Sequence, residues 1–305
     1  MIVAERRLAF RALSGWAAED HAAALAAYGR SVHALPPEWP RPDGSAPRAF
    51  FESRFTPVLV GAPAFVTGYY EPEVEGAAAR EGRFRHPLHA RPATLPEGPW
   101  HSRAEIVAGD LLAGHELVWL DSAVEVFLAQ VQGSVRVRLP DGTLRRYGFA
   151  GRNGHPYRSI GAELIRRGAV PADAMSAAAI RDWCARHPEG VAGLLDHNPS
   201  YVFFRPLDLP EDEGPLGSMG LPLSPGRSVA VDTDHVPLGA PVWLEAGAMR
   251  VLAVAQDTGS AIRGAGRADL FCGSGREAGE RAGAMRLAGR CVVLLPEALA
   301  SGIAP

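Results

Sequence analysis

Val251-Leu252-Ala253-Val254-Ala255-Gln256-Asp257-Thr258-Gly259-Ser260-Ala261-Ile262-Arg263-Gly264-Ala265-Gly266-Arg267-Ala268-Asp269-Leu270-Phe271 decides the fold class of this chain. An apolar run delivers Asp257 at a strand end, a glycine-punctuated loop follows, and Asp269 stands directly before an apolar pair. Similar short runs lie on either side: Ser228 to Val231, Pro241 to Leu244 and Arg290 to Leu295, separated by Gly and Pro. Short strands at this spacing read as a compact β-barrel in the last third of the chain. The acidic turn Asp208 to Gly214 precedes them.

Further upstream, Trp16, Ala17, Leu25, Ala26 and Tyr28 mark an amphipathic helix over 16–33, which the proline-rich stretch Pro36 to Pro42 ends. Phe65-Val66-Thr67-Gly68-Tyr69-Tyr70 reads as a strand. Between 115 and 150, strand-like runs are expected at Glu116 to Leu120, Val124 to Gln132 and Val135 to Leu139. Pro140-Asp141-Gly142-Thr143 then makes a hairpin turn. Ser159 and Ser176 are expected N-caps of two helices, with Ile160, Leu164 and Ile165 facing inward from the first. From the second, Ala179, Ile180, Trp183 and Cys184 do so, and Asn198-Pro199 breaks the pattern.

At 305 residues the chain is long enough for two cores. A net charge of −3 gives no field that would gather nucleic acid or a membrane surface. All 31 basic residues are arginine, which together with abundant alanine fits a GC-rich coding sequence better than phosphate binding. Cys184, Cys272 and Cys291 have no zinc spacing, and their odd number argues against a disulfide scaffold while allowing one bridge. No apolar stretch reaches the ~18 residues of a membrane span. Met1 to Arg7 lacks the apolar segment of a secretory leader, so the chain as written reads as soluble and unexported. No cofactor or metal is expected; His86, His89 and His155 lack metal spacing and read as structural.

Asp257-Thr258-Gly259-Ser260 after an apolar strand matches the loop of aspartic proteases. Those enzymes need a second carboxylate ~3 Å away, so the motif must recur or the chain must dimerise. Here it occurs once, and the nearest echo, Val231-Asp232-Thr233-Asp234, lacks the glycine. An Asx-type turn at a strand end reads equally well. For Asp269, neighbours Ala268, Leu270 and Phe271 imply an apolar wall, which raises a carboxyl pKa and keeps its proton available. Asp232, ending Val229-Ala230-Val231, is either a third acid of this cluster or a turn residue.

Several ordered blocks carry a family resemblance. Gly217-Ser218-Met219-Gly220, Val229 to Asp232, Ala255 to Gly259 and Ala268 to Phe271 stand in the order of the three-aspartate (3D) domain, and Arg276-Glu277-Ala278-Gly279 with Ala282-Gly283 continues it. Thr67 to Pro72, Gln130 to Ser134 and Gly151 to Tyr157 lie upstream. From about residue 60 to 295 the chain resembles the membrane-bound lytic murein transglycosylase A (MltA) family.

The resemblance implies a mainly β fold: a double-psi β-barrel of residues 1–77 and 206–305, interrupted by a smaller β-domain at 78–205 that carries some helices, with a glycan groove between them. It implies non-hydrolytic cleavage of the β-1,4 bond between N-acetylmuramic acid and N-acetylglucosamine in peptidoglycan, leaving 1,6-anhydro ends. By motif match Asp269 is the general acid/base, with Asp257 and Asp232 in support. Tyr69, Tyr70, Gln130, Gln132 and Asn153 are candidate glycan contacts, since aromatic faces and amides suit sugars. The expected partners are peptidoglycan strands, met by a monomer in the periplasm or at the outer membrane, alone or within a cell-wall complex. Departures from the family pattern are Gly259-Ser260 where Gly-Gly is commoner, Cys272 where an aromatic residue is frequent, and no visible lipobox or leader. Two other readings remain: a two-carboxylate peptidoglycan hydrolase and a non-catalytic glycan binder.

Overall fold

The apolar run before Asp232 alternates between two environments, whereas the run before Asp257, Leu252 to Ala255, lies in the core throughout. In the computed structural model, which describes residues 6–304, Val229 and Val231 enter the main core while Ala230 between them does not. Met1 to Glu5, part of the stretch that lacks a leader's apolar segment, lie outside the described residues.

The chain divides into two units, one holding the residues up to Tyr70 and from Glu211 onward, the other Glu71–Pro210. The first unit begins with β1 (Arg6–Arg7), α1 (His21–Ser31), α2 (Pro47–Arg54) and β2 (Phe55–Glu71). The second holds β3 (Glu73–Ala77), β4 (His86–His89), α3 (Arg103–Ala108), β5 (Glu116–Leu120), α4 (Ala123–Gln132), β6 (Ser134–Arg138) and β7 (Leu144–Arg152). It continues through α5 (Ile160–Arg166), α6 (Ala177–Arg186), α7 (Val191–Leu195) and β8 (Val202–Leu207). The chain then re-enters the first unit with β9 (Ser228–Val231), β10 (Pro241–Ala246), β11 (Met249–Asp257), β12 (Arg267–Ser274), α8 (Gly275–Ala284), β13 (Arg286–Pro296) and α9 (Glu297–Ala300).

In the first unit six strands close on themselves in the order β2-β12-β9-β11-β10-β13 and back to β2, with β1 added on β2. Closure removes exposed strand edges. The long strand β2 makes it possible, pairing antiparallel with β13 from Phe55↔Pro296 to Thr67↔Arg286. One crossing admits no side chain: a Cβ on Gly61 would stand 2.4 Å from Gly266 Cα. Trp243, Tyr28, Phe50, Phe51 and Val58 anchor the core, and Trp16 meets Trp243 edge-on at 5.3 Å.

The second unit carries a six-stranded sheet, β4-β5-β3-β6-β7-β8. Its hairpin turn is formed as read, with Gly142 at φ 86° and Asp141 Oδ1 accepting from Thr143 N. Ser159 and Ser176 cap α5 and α6. Val124 to Gln132, expected as a strand, is instead the helix α4. Ser122 caps it and Gly133 ends it at φ 81°. Its apolar residues show no clear period because it packs against two cores: Val124, Phe127 and Leu128 enter one, Val126 and Ala129 the other. Cys184, Cys272 and Cys291 are free and buried.

Candidate active site

Strand alternation sorts β12 and β2 into core and outer faces. On β12, Ala268 and Leu270 enter the main core, so Arg267, Asp269 and Phe271 take the other face; on β2, Ala64 and Val66 do so, leaving Phe65, Thr67 and Tyr69 opposite. Contacts between these outer rows advance in step. The Arg267 guanidinium lies 5.4 Å from the Phe65 ring centre, Thr67 Oγ1 donates to Asp269 Oδ1 at 2.5 Å, and the Tyr69 and Phe271 rings are 5.4 Å apart. Gly68, between Thr67 and Tyr69 but on the face of Ala64 and Val66, admits α8 on that opposite face: a Cβ there would stand 2.8 Å from Ala282 Cα.

Asp257 reaches the same face from the other side. Asp269 on β12 and Asp257 on β11 both register with Ala230 on β9. Two strand spacings therefore separate their Cα atoms, ~10 Å. The β11–β9 register slips between Ala255 and Asp257, which leaves Gln256 as the extra residue. Such a bulge re-aims the residue that follows it. Gln256, fully buried, donates through Nε2 to Ala27 O at 3.0 Å and accepts from Ser228 Oγ at Oε1, tying β11 to α1 and β9.

The two carboxylates have different surroundings. Asp257 accepts at Oδ1 from Ser218 N, Ser218 Oγ and Thr258 N, each at 2.9 Å, and at Oδ2 from Tyr69 Oη at 2.7 Å. Burial pushes its pKa up, against those four donors. Asp269 has Thr67 as its one donor among the described residues. Burial raises its pKa to about 6, with the Asp257 charge adding to the rise; Thr67 and the Arg267 charge act the other way. Burial and the Asp257 charge also hold the Tyr69 phenol well above its ordinary range, so it remains a donor.

Asp232 turns elsewhere. Its Oδ2 accepts from Gly264 N at 2.7 Å and its Oδ1 from Asp234 N at 3.2 Å, with Arg263 Nη1 at 3.6 Å. Chiefly the Gly264 N–H lowers its pKa. It fastens the loop between Asp257 and Asp269 and is not among the charges acting on Asp269.

Of the remaining candidates, Tyr69 joins the site through Asp257 and Tyr70 packs on α8 at Gly279. Gln130, Gln132 and Asn153 belong to the second unit. Gln130 is buried, accepting from Arg103 Nη2 and donating to Val202 O at 3.2 Å. Asn153 is buried too, donating to His101 O and Pro199 O and accepting from Tyr201 N, all at 2.8 Å. Gln132 is half-buried at the end of α4. His89 meets Tyr201 Oη at 2.8 Å, and burial lowers its pKa to about 4; His155 Nε2 lies 2.6 Å from Trp100 O. Thr67, Ser218 and Arg267 contact the two aspartates directly or through Thr67, and no role for them follows from the local sequence. For Thr67 and Arg267 the signal is the period of two running back from Tyr69 and Asp269.

Taken together, this is a closed β-barrel protein with an inserted β-unit, whose barrel wall holds a carboxylic acid able to keep its proton near pH 6 beside a carboxylate saturated with donors. The sequence matches the family model of the MltA specific insert domain over residues 65–205 and that of the 3D domain over 227–295. It is 39% identical over 241 residues to membrane-bound lytic murein transglycosylase A of Escherichia coli K12, covering 75% of this chain and 64% of that one. The crystal structure of membrane-bound lytic murein transglycosylase from Agrobacterium tumefaciens superposes with a TM-score of 0.86 at 32% identity, over 97% of this chain and 99% of that one. E. coli MltA with bound chitohexaose gives a TM-score of 0.74 at 32% identity, over 97% and 87%. The chain belongs to the membrane-bound lytic murein transglycosylase A family. It spans about 64% of the length of the curated E. coli relative. Among the described residues no helix is long and apolar enough to cross a membrane.

Proposed function

We propose that this chain is a peptidoglycan lytic transglycosylase with Asp269 as its single acid/base. The observation that carries the proposal is the asymmetry of the two carboxylates. Asp269 has a pKa of about 6 and one donor, whereas both oxygens of Asp257 are already engaged.

In the first step Asp269 gives its proton to the glycosidic oxygen as the bond from the muramic acid C1 breaks, and positive charge develops on the ring. The Asp257 carboxylate stabilises that charge electrostatically. In the second, the Asp269 carboxylate takes the proton of the C6 hydroxyl as O6 bonds to C1. This closes the 1,6-anhydro ring and restores the acid without consuming water. A hydrolase needs a second carboxylate to activate water or to attack C1. An intramolecular hydroxyl removes that need, because the nucleophile is held beside the carbon.

Within this reading Tyr69 orients Asp257, Asp232 positions the loop, and Tyr70 and Gln132 contact glycan. Gln130 and Asn153 act through the structure of the inserted unit, a role supported by their internal hydrogen bonds. A peptidoglycan substrate puts the site of action outside the cytoplasmic membrane, in the periplasm or at the outer membrane. The relative crystallised with chitohexaose supports a glycan ligand.

The test is incubation of sacculi with wild type and Asp269→Asn, followed by mass spectrometry of soluble fragments and a sacculus pull-down. Fragments with anhydro ends from wild type alone, with binding kept by both, are the expected outcome. Wild type that binds sacculi without releasing fragments would make the chain a glycan binder.

A further inference from the structure

We propose that Arg267 and Thr67 are positioning residues that fix the transferable proton of Asp269 on its Oδ2 atom, an inference that rests on the acid/base role above. Arg267 Nη2 donates to Thr67 Oγ1 at 2.8 Å, and Thr67 Oγ1 lies 2.5 Å from Asp269 Oδ1. A guanidinium has donors only and keeps its charge at any working pH, so this contact runs in one direction. The Thr67 hydroxyl therefore accepts from Arg267 and has its own hydrogen to place. Among the described residues Asp269 Oδ1 is the acceptor within reach of it.

A proton on Oδ1 would meet the Thr67 hydrogen head-on. Oδ1 is thus an acceptor whether Asp269 is neutral or charged, and the acid proton sits on Oδ2. Among the described residues no protein group bonds Oδ2, which leaves that atom for a substrate oxygen. Arg267 is itself held, donating through Nη1 to Ala268 O at 2.7 Å and Phe65 O at 3.3 Å while stacked on the Phe65 ring. The chain of donors runs from β12 to β2 and back to β12, so the β2–β12 pairing of the barrel also orients the acid.

The other groups facing Asp269 are Asp257 from β11, Tyr69 from β2, the protonated Cys272 thiol on β12 and, behind Cys272, Arg281 of α8. Burial and Asp257 raise the Asp269 pKa, while Thr67 and Arg267 lower it. Removing the Thr67 hydroxyl therefore has two separable effects. The carboxyl loses a donor that favours its charged form, and the proton becomes free to occupy either oxygen.

The experiment is carboxyl ¹³C NMR titration of aspartate-labelled full chain, with Asp269→Asn identifying the resonance, alongside pH–rate profiles on sacculi. For Thr67→Val the Asp269 midpoint should rise by about one pH unit. The rate at pH values where Asp269 is fully protonated should fall at least ~10-fold. Thr67→Ser should restore both, and Arg267→Met should raise the midpoint as well. If Thr67→Val does not fold, Thr67→Ala serves with the same two readouts. An unmoved midpoint, or a rate loss without any shift of the alkaline limb, overturns the inference and leaves Thr67 a packing residue. The NMR midpoint is read without turnover. Wild type that releases no anhydro ends would sink the transglycosylase reading, and an unmoved midpoint the relay.

Discussion

The barrel unit and the inserted unit each hold a polar cluster, half-buried in the first and buried in the second, and the two are assembled on opposite terms. In the insert the Arg103 guanidinium lies 4.6 Å from the Phe127 ring centre and 5.1 Å from that of Tyr201, and donates to Gln130, Asn198 O and Ser200 O. Asn153 alongside bonds three backbone groups. In the barrel, Asp269 is desolvated with a single donor. The insert closes its polar atoms on one another and gains order. The barrel leaves a carboxyl partly unsatisfied, a condition that costs stability and creates reactivity.

Breaking the open cluster should have the largest effect on rate. Asp269→Asn is expected to lower fragment release ~10²–10⁴-fold, measured on sacculi. The same variant should melt a few degrees higher than wild type at pH 7.5. The sign follows from linkage: the folded pKa of about 6 lies above the ordinary value of 3.8, so Asp269 opposes folding once it ionises. The gap in melting temperature should open between about pH 4 and 6 and stay constant above. A constant gap at all pH values would contradict the raised pKa.

Breaking the closed cluster should reverse the pattern. Asn153→Ala strands three buried backbone groups and is expected to cost about 2–4 kcal/mol in denaturant unfolding, with the rate per folded molecule changed less than ~3-fold. A comparable rate loss without destabilisation would return Asn153 to the glycan contacts. Smaller effects follow around Asp257 and Asp232. Tyr69→Phe removes one of four donors, about 1 kcal/mol, and should lower the rate by up to ~10-fold. Asp232→Asn keeps an acceptor for Gly264 N–H and should lower the rate by less than that.

The sequence made the open cluster easier to find than the closed one. Asp257 and Asp269 were visible because each sits at an apolar strand, and burial is the property the site depends on. The barrel strands near them were visible as short apolar runs separated by Gly and Pro. Thr67 and Arg267 were not, since their roles arise across a strand pair joining residues 200 positions apart. α4 was misread because a helix between two cores loses its amphipathic period. Gln130 and Asn153, themselves expected as glycan contacts, bond Arg103 and backbone groups, and local sequence does not distinguish an amide facing a sugar from one facing backbone.

Whether one acid acts without water can be read by digesting sacculi in ¹⁸O-labelled water and weighing the new muramic acid ends. Wild type should give 1,6-anhydro ends free of ¹⁸O, and Asp269→Asn no new ends. Reducing ends in their place would mean that water attacks C1 and would overturn the single-acid transglycosylase mechanism.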